Sequence, residues 1–182
     1  MNRIIKSANY QYLDESLDLV ERVFTESEGK ESGKIVRCLV EEIRSKKFYL
    51  PELDLVMVNE DGCVIGYAMF SKFHLEGKYE NELLLLSPVA VKTELQRQHI
   101  SKQLIEYGFE KAKEMGYKAI IVEGNPQNYN SRGFVTSFNY GIIAGPKVSL
   151  PSVECLMVKE LVKGSLKDIK GLVDYSYYQY LT

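Results

Sequence analysis

Imidazole and thiol ligands are scarce in this sequence, which holds two histidines and three cysteines and no Cys-x-x-Cys spacing. A structural zinc site is therefore not expected. Cys38, Cys63 and Cys155 are far apart, odd in number and set among apolar neighbours, which suits reduced thiols rather than a disulfide framework. Long apolar runs are missing too. Nothing approaches the roughly 20 residues needed to span a bilayer, and the opening MNRIIKSANYQYLDES lacks the apolar core of a signal peptide. No membrane association and a cytoplasmic location are expected. Nor is one sign of charge in surplus: 23 Lys and Arg against 25 Asp and Glu leave a formal −2. That balance gives no general pull toward nucleic acid, so any basic site must be local. Repeats, low-complexity tracts and interdomain linkers are absent. The 182 residues are read as one domain, with residues 162–182 an aromatic tail packing on it.

What the sequence does have is periodicity. Ile4, Ile5 and Ala8 suit a short first strand. Leu13, Leu17, Val20 and Phe24 recur at steps of three and four, predicting a helix over about 12–24 with Glu15, Asp18, Glu21 and Arg22 outside. Thr25 to Gly33 breaks that pattern and reads as a surface loop. A second helix, about Lys34 to Ser45, carries Ile35, Leu39 and Ile43, and Pro51 bars continuation. The runs Leu53–Val58 and Cys63–Phe70 flank Asp61-Gly62, a hairpin turn needing positive φ. Ser71 to Asn81 is polar and charged and reads as a connection, with His74 a solvated loop residue.

The chain is organised around Glu82–Met115. Leu83–Leu86 and Val89-Ala90-Val91 predict a buried central strand. Lys92–His99 follow as a polar loop, and a helix then places Ile100, Leu104, Ile105, Gly108, Ala112 and Met115 toward the core. Gly116 suits a left-handed cap. Ala119–Val122 then form a strand parallel to the central one, because a helix joins them. A helix starting just after a buried strand aims free N–H groups at whatever lies in front, and a phosphate is the expected ligand. Beyond Val122 the chain reads as a polar turn region through Phe134, a Gly- and Pro-rich loop to Val153 with one short strand, and a final strand over Glu154–Leu161. The tail tyrosines 175, 177, 178 and 180 are expected to cover the sheet edge with their hydroxyls in water.

Val89-Ala90-Val91 followed by Gln96-Arg97-Gln98-His99-Ile100-Ser101, with Tyr129 four residues before Gly133-Phe134, resembles the GNAT superfamily of acetyl-CoA-dependent N-acetyltransferases. The resemblance extends from about Ile4 to Leu161, and GNPQNYNSRGF looks like one bacterial subgroup of small GNAT enzymes. It implies an α+β fold of three layers: a central mixed, mostly antiparallel sheet with a parallel βαβ pair at the cofactor site and helices on both faces. It also implies acetyl-CoA as cosubstrate, no metal, and a primary amine of a small molecule or peptide as acceptor. The sheet edges and the aromatic tail leave both intramolecular cover and a homodimer seam open.

Residue by residue, the resemblance makes the Val89 N–H the oxyanion donor at a strand bulge and gives Val91 the pantetheine amides. Gln96, Arg97, Gln98, His99, Ile100, Ser101 and Lys102 form the pyrophosphate loop. Asn125 contacts the cofactor amides or caps a helix at Pro126. Tyr129 becomes the general acid, since a phenol of reference pKa about 10 can protonate a thiolate of reference pKa about 8.5. Glu82 becomes the base, with Glu80, Glu123 and His74 as alternatives. His99 and Ser101 stand where the family loop carries glycine and then glycine or alanine. Glycine there serves either positive φ or close approach of backbone to phosphate. Histidine tolerates the first better than most residues. If close approach is the reason, the imidazole must swing away or block the site. The altered loop also keeps open a CoA-binding sensor that has lost catalysis, and the tyrosine-rich tail keeps open a nonenzymatic interaction protein.

Overall fold

Asp61-Gly62 turns the chain as its sequence predicts. In the computed structural model, which describes residues 2–181, Gly62 has φ 82° and Asn59 Oδ1 accepts from the Asp61 and Cys63 N–H groups at 3.1 and 2.9 Å. Strand β2 (Asp54–Val58) thereby pairs antiparallel with β3 (Val64–Leu75), and β1 (Ile4–Ser7) adds antiparallel to the other side of β2. The apolar run at Leu83 lies in β4 (Lys78–Val91). Helix α3 (Ile100–Glu114) leads from there to β5 (Ala119–Glu123), which runs parallel to β4 with Leu83–Leu85 opposite Ala119–Ile121. Strand β8 (Leu156–Glu160) pairs antiparallel with β5 and with the short β6 (Val135–Thr136).

The hydrogen-bonded order is β1-β2-β3-β4-β5-β8-β6, a mixed, mostly antiparallel sheet whose parallel pair is β4 and β5. The fold is α+β. A separate two-stranded parallel sheet joins β7 (Ile142–Ala144) to β9 (Gly171–Val173).

The chain divides into two compact units. One holds the chain up to Ser71 with Ser87–Lys111; the other holds Lys72–Leu86 with the chain from Ala112 on. In the first, helices α1 (Asn9–Glu28) and α2 (Lys30–Ser45) pack as an antiparallel pair. Its interior contains a charged pair: Asp54, fully buried, accepts from Arg44 Nε at 2.9 Å and from the Tyr49 hydroxyl at 2.9 Å. Arg44 also reaches Ser16 Oγ at 2.8 Å. The second unit closes over an apolar cluster that includes Phe73, Leu83, Leu85, Ile121, Leu156, Val158 and Val173.

Several sequence expectations are corrected here. The loop expected over Thr25–Gly33 reduces to Gly29, whose φ of 101° turns α1 into α2. Polar residues hide helix there because solvated helical turns carry no apolar period. Gly33 lies within α2 where the helices cross, and a Cβ on it would sit 2.0 Å from Thr25 Oγ1 and 2.5 Å from the Glu21 carbonyl oxygen. The buried face of α1 runs through Tyr12, Ser16, Leu17, Leu19, Val20 and Val23, keeping the expected Leu17 and Val20 and leaving Leu13 and Phe24 only partly covered.

Ser71–Asn81 is no loose connection. Ser71, Phe73 and Leu75 are buried at period two, and the strands meet in a turn of Glu76-Gly77 with φ 51° and 80°. His74 therefore lies in β3, where its ring stacks on Tyr177 at 4.5 Å and Nδ1 accepts from the Gly77 N–H at 3.0 Å. The Gly- and Pro-rich segment contains two short strands rather than one, and β8 is followed by β9. Nor do all the tail hydroxyls reach water: those of Tyr175, Tyr177 and Tyr178 are buried.

Candidate functional site

The polar loop after β4 belongs to the first unit and is held at both ends. Its upstream end is fixed by the Lys92 N–H donating to the Ile65 carbonyl at 3.1 Å. A short 3-10 turn, Thr93–Leu95, follows and is tied to α1 by Thr93 with Glu26 and by Arg22 Nη2 with Glu94 at 2.9 Å. The Glu94 carboxyl is held below its ordinary value, first by its own backbone N–H and then by Arg22. Downstream, Ile100 is buried against β3 where Gly66 has no side chain; a Cβ there would lie 2.5 Å from Ile100 Cγ2. Gln96, Arg97, Gln98 and His99 between these anchors are exposed.

Arg97 and His99 adopt φ 61° and 62°, the left-handed region that usually favours glycine. The His99 carbonyl accepts from the Gln103 N–H at 3.0 Å, so His99 caps α3. In a helix the N–H groups of the first turn have no intrahelical acceptor, which leaves those of Ile100, Ser101 and Lys102 directed along the helix axis toward its start. The backbone at position 99 is thus left-handed with a histidine in place. Lys102 is exposed, 3.8 Å from Glu106. Val89 is half-buried and Val91 buried in the last three residues of β4 before the loop.

In the second unit the β4–β5 ladder has a carboxylate near each end. Glu82, at the upstream end, is ion-paired to Lys118 Nζ at 2.5 Å, and its carbonyl accepts from the Lys118 N–H at 2.8 Å. Glu123 ends β5. Burial raises its pKa, a shift the nearby Tyr175 hydroxyl opposes. The Tyr175 hydroxyl is itself buried and completes no hydrogen bond of ordinary geometry, and burial first, then the Glu123 charge, pushes its pKa up.

Gly124 follows, donating to the Cys155 carbonyl at 2.9 Å. Asn125 Oδ1 then caps α4 (Pro126–Tyr129) by accepting from the Gln127 N–H at 3.0 Å. Tyr129 packs edge-on against Phe134 with ring centroids 5.6 Å apart. A Cβ on Gly124 would come within 2.8 Å of Tyr129 Cε2, so Gly124 makes room for this ring. Burial raises the Tyr129 pKa and the Arg132 guanidinium, 6.0 Å from the ring, opposes the shift. Tyr175 thus faces Glu123 and the Tyr129 ring lies over the adjoining Gly124, while Glu82 lies at the other end of the ladder.

Two participants escaped sequence reading. Arg3 donates through Nη1 to the Gln98 carbonyl at 3.0 Å and through Nη2 to Gln98 Oε1 at 2.6 Å. Tyr175 reaches Glu123 from the tail. Neither carries a motif, because both contacts depend on distant segments meeting.

Among curated proteins the chain is 29% identical over 138 residues to YhbS of Escherichia coli K12, described as an uncharacterized N-acetyltransferase, covering 75% of this chain and 78% of that one. The crystal structure of E. coli YhbS in complex with CoA matches with a TM-score of 0.84 at 25% identity, over 96% of this chain and 90% of that one. A GNAT family acetyltransferase from Brucella melitensis in complex with acetyl-CoA matches with a TM-score of 0.60 at 27% identity, over 73% and 82% of the two chains. The model of the acetyltransferase (GNAT) family matches residues 17–140, a span that takes in the central strand, the loop with its two left-handed residues and the Tyr129 turn, and the chain belongs to that family.

Proposed function

We propose that this chain transfers the acetyl group of acetyl-CoA to a primary amine of a small molecule or peptide by direct attack. The observation that carries this reading is the backbone of Arg97 and His99. The φ values of 61° and 62° ahead of α3 support a loop in which the amides of residues 97–102 take the diphosphate. The backbone of Val91 takes the pantetheine amides, and Asn125, which caps α4, steadies the Tyr129 turn. Bound acetyl-CoA supplies the activated thioester.

The chain's own groups then divide the work. The Val89 N–H donates to the carbonyl oxygen on which negative charge grows. Glu123 accepts the proton that the attacking nitrogen sheds as the new C–N bond forms. Tyr129 gives its proton to the sulfur as the C–S bond breaks. Its raised pKa keeps the phenol protonated, and Arg132 favours the phenolate left behind. Glu82, the other carboxylate on the ladder, is engaged by Lys118, which favours Glu123 as the proton acceptor.

A sensor without catalysis would draw its support from the missing loop glycines, and the left-handed backbone at position 99 weakens that support. Calorimetric titration with acetyl-CoA, followed by an assay of free CoA released across a panel of amines, tests the proposal. Saturable binding and amine-dependent release are expected. Binding without release for any amine would favour the sensor, and no binding would overturn both readings.

A further inference from the structure

We propose that Arg3 is a positioning residue for the cofactor loop, clamping Gln98 so that the amides opening α3 stay aimed at the diphosphate. This rests on the function proposed above. Gln98 stands between Arg97 and His99 at φ 61° and 62°. Side chains with a Cβ enter that region against steric resistance, and such a conformation persists only where its surroundings over-determine it. The loop's upstream anchor is Lys92 on Ile65 and its downstream anchor is Ile100 against Gly66. Arg3 supplies the hold at the middle.

The geometry of that hold is specific. One guanidinium donates to both the backbone carbonyl, at 3.0 Å, and the side-chain oxygen, at 2.6 Å, of the same residue. A planar fork satisfied at two points fixes the orientation of the Gln98 peptide as well as its position. Arg3 Nε is buried without a hydrogen-bond partner, so the stem is packed while the head reaches the loop. Its base is firm, because Ile4, the next residue, opens β1 in register with Val58 of β2. Arg3 has no carboxylate partner among the described residues, and both of its terminal nitrogens donate to Gln98. A lysine in its place could make one of the two contacts and could not fix the peptide plane.

The test compares wild type, Arg3→Ala and Arg3→Lys by calorimetric titration of acetyl-CoA, by thermal unfolding without ligand, and by steady-state kinetics. Arg3→Ala is expected to raise Kd and the KM for acetyl-CoA about tenfold, the scale of one charge-assisted contact. Its kcat at saturating acetyl-CoA and its unliganded Tm should change little, and Arg3→Lys should recover part of the affinity. Because glycine needs no clamp at positive φ, Arg3→Ala should weaken binding less in a His99→Gly background. A wild-type Kd in Arg3→Ala overturns the inference, as does an equal penalty in both backgrounds. A loss of affinity that merely follows a fall in Tm also overturns it, since Arg3 would then act on the fold as a whole. If the wild-type protein itself fails to bind acetyl-CoA, the proposed function falls, and this inference with it.

Discussion

At position 99 a histidine stands where the resemblance to the family expects glycine, and its backbone is left-handed. Of the two reasons a glycine could stand there, positive φ is met by histidine with φ 62°, a residue enriched in that region among those with a Cβ. Tyr129 and Glu123 carry the chemistry proposed at the residue scale. Tyr129→Phe should lower kcat by about 100-fold or more, the usual contribution of a general acid, while the calorimetric Kd for acetyl-CoA stays close to wild type. Unchanged turnover would remove the acid role and leave Tyr129 as packing against Phe134.

Glu123 makes a prediction with a sign. Burial lifts its folded pKa above the unfolded value, so the native state favours the protonated form. That stabilising contribution is complete below the unfolded pKa and is lost as pH rises through the folded one. Glu123→Gln should therefore be more stable than wild type near neutral pH, with the gap closing in acid, as read from urea midpoints at several pH values. The same substitution should abolish the rise in activity expected of wild type as pH passes through the raised pKa.

At the scale of elements, the helix pair α1–α2 shows where sequence reading stops. Their apolar faces were legible in part, through Leu17, Val20, Leu39 and Ile43, whereas Ile35 of the expected α2 face is exposed; their lengths and their junction were not legible, because Thr25–Glu28 and Lys30–Ser32 are helical but largely solvated. The single residue Gly29 makes the turn, and Gly33 lets the helices approach. Replacing a helical glycine by alanine ordinarily gains up to about 1 kcal/mol. Here the new Cβ meets backbone at 2.5 Å, and Gly33→Ala should instead destabilise by about 1–3 kcal/mol, measured by denaturant unfolding. The β3–β4 turn was missed for a related reason. Lys72, His74 and Glu76 made the stretch look polar, while the period-two burial of Ser71, Phe73 and Leu75 is that of a strand. The apolar part of the central strand from Leu83 on, α3 and the parallel β5 were legible, because each carries an apolar pattern, although β4 begins earlier, at Lys78, and Met115 falls beyond the end of α3.

At the scale of the whole molecule, a chain of formal charge −2 buries one of its carboxylates completely. Asp54 is tolerable inside because Arg44 and Tyr49 satisfy it together. Asp54→Asn leaves the Arg44 charge without its counterion and should cost about 3–5 kcal/mol of global stability, seen as a lower urea midpoint with an unchanged slope. Exchanging both partners together, Arg44→Met with Asp54→Leu, should cost much less than that.

The sequence by itself determined the hairpin at Gly62 and the βαβ order through α3, since these rest on local periodicity and turn chemistry, and its resemblance to the acetyltransferase family pointed to the loop from Gln96 to Lys102. Only the tertiary structure decided that His99 keeps a glycine's φ, that Lys118 occupies Glu82 while Tyr175 reaches Glu123, and that Arg3 grips Gln98 from 95 residues away. These are matters of which distant segments meet once apolar surface is buried. Such meetings follow from the register and packing of the complete fold, and no local pattern encodes them.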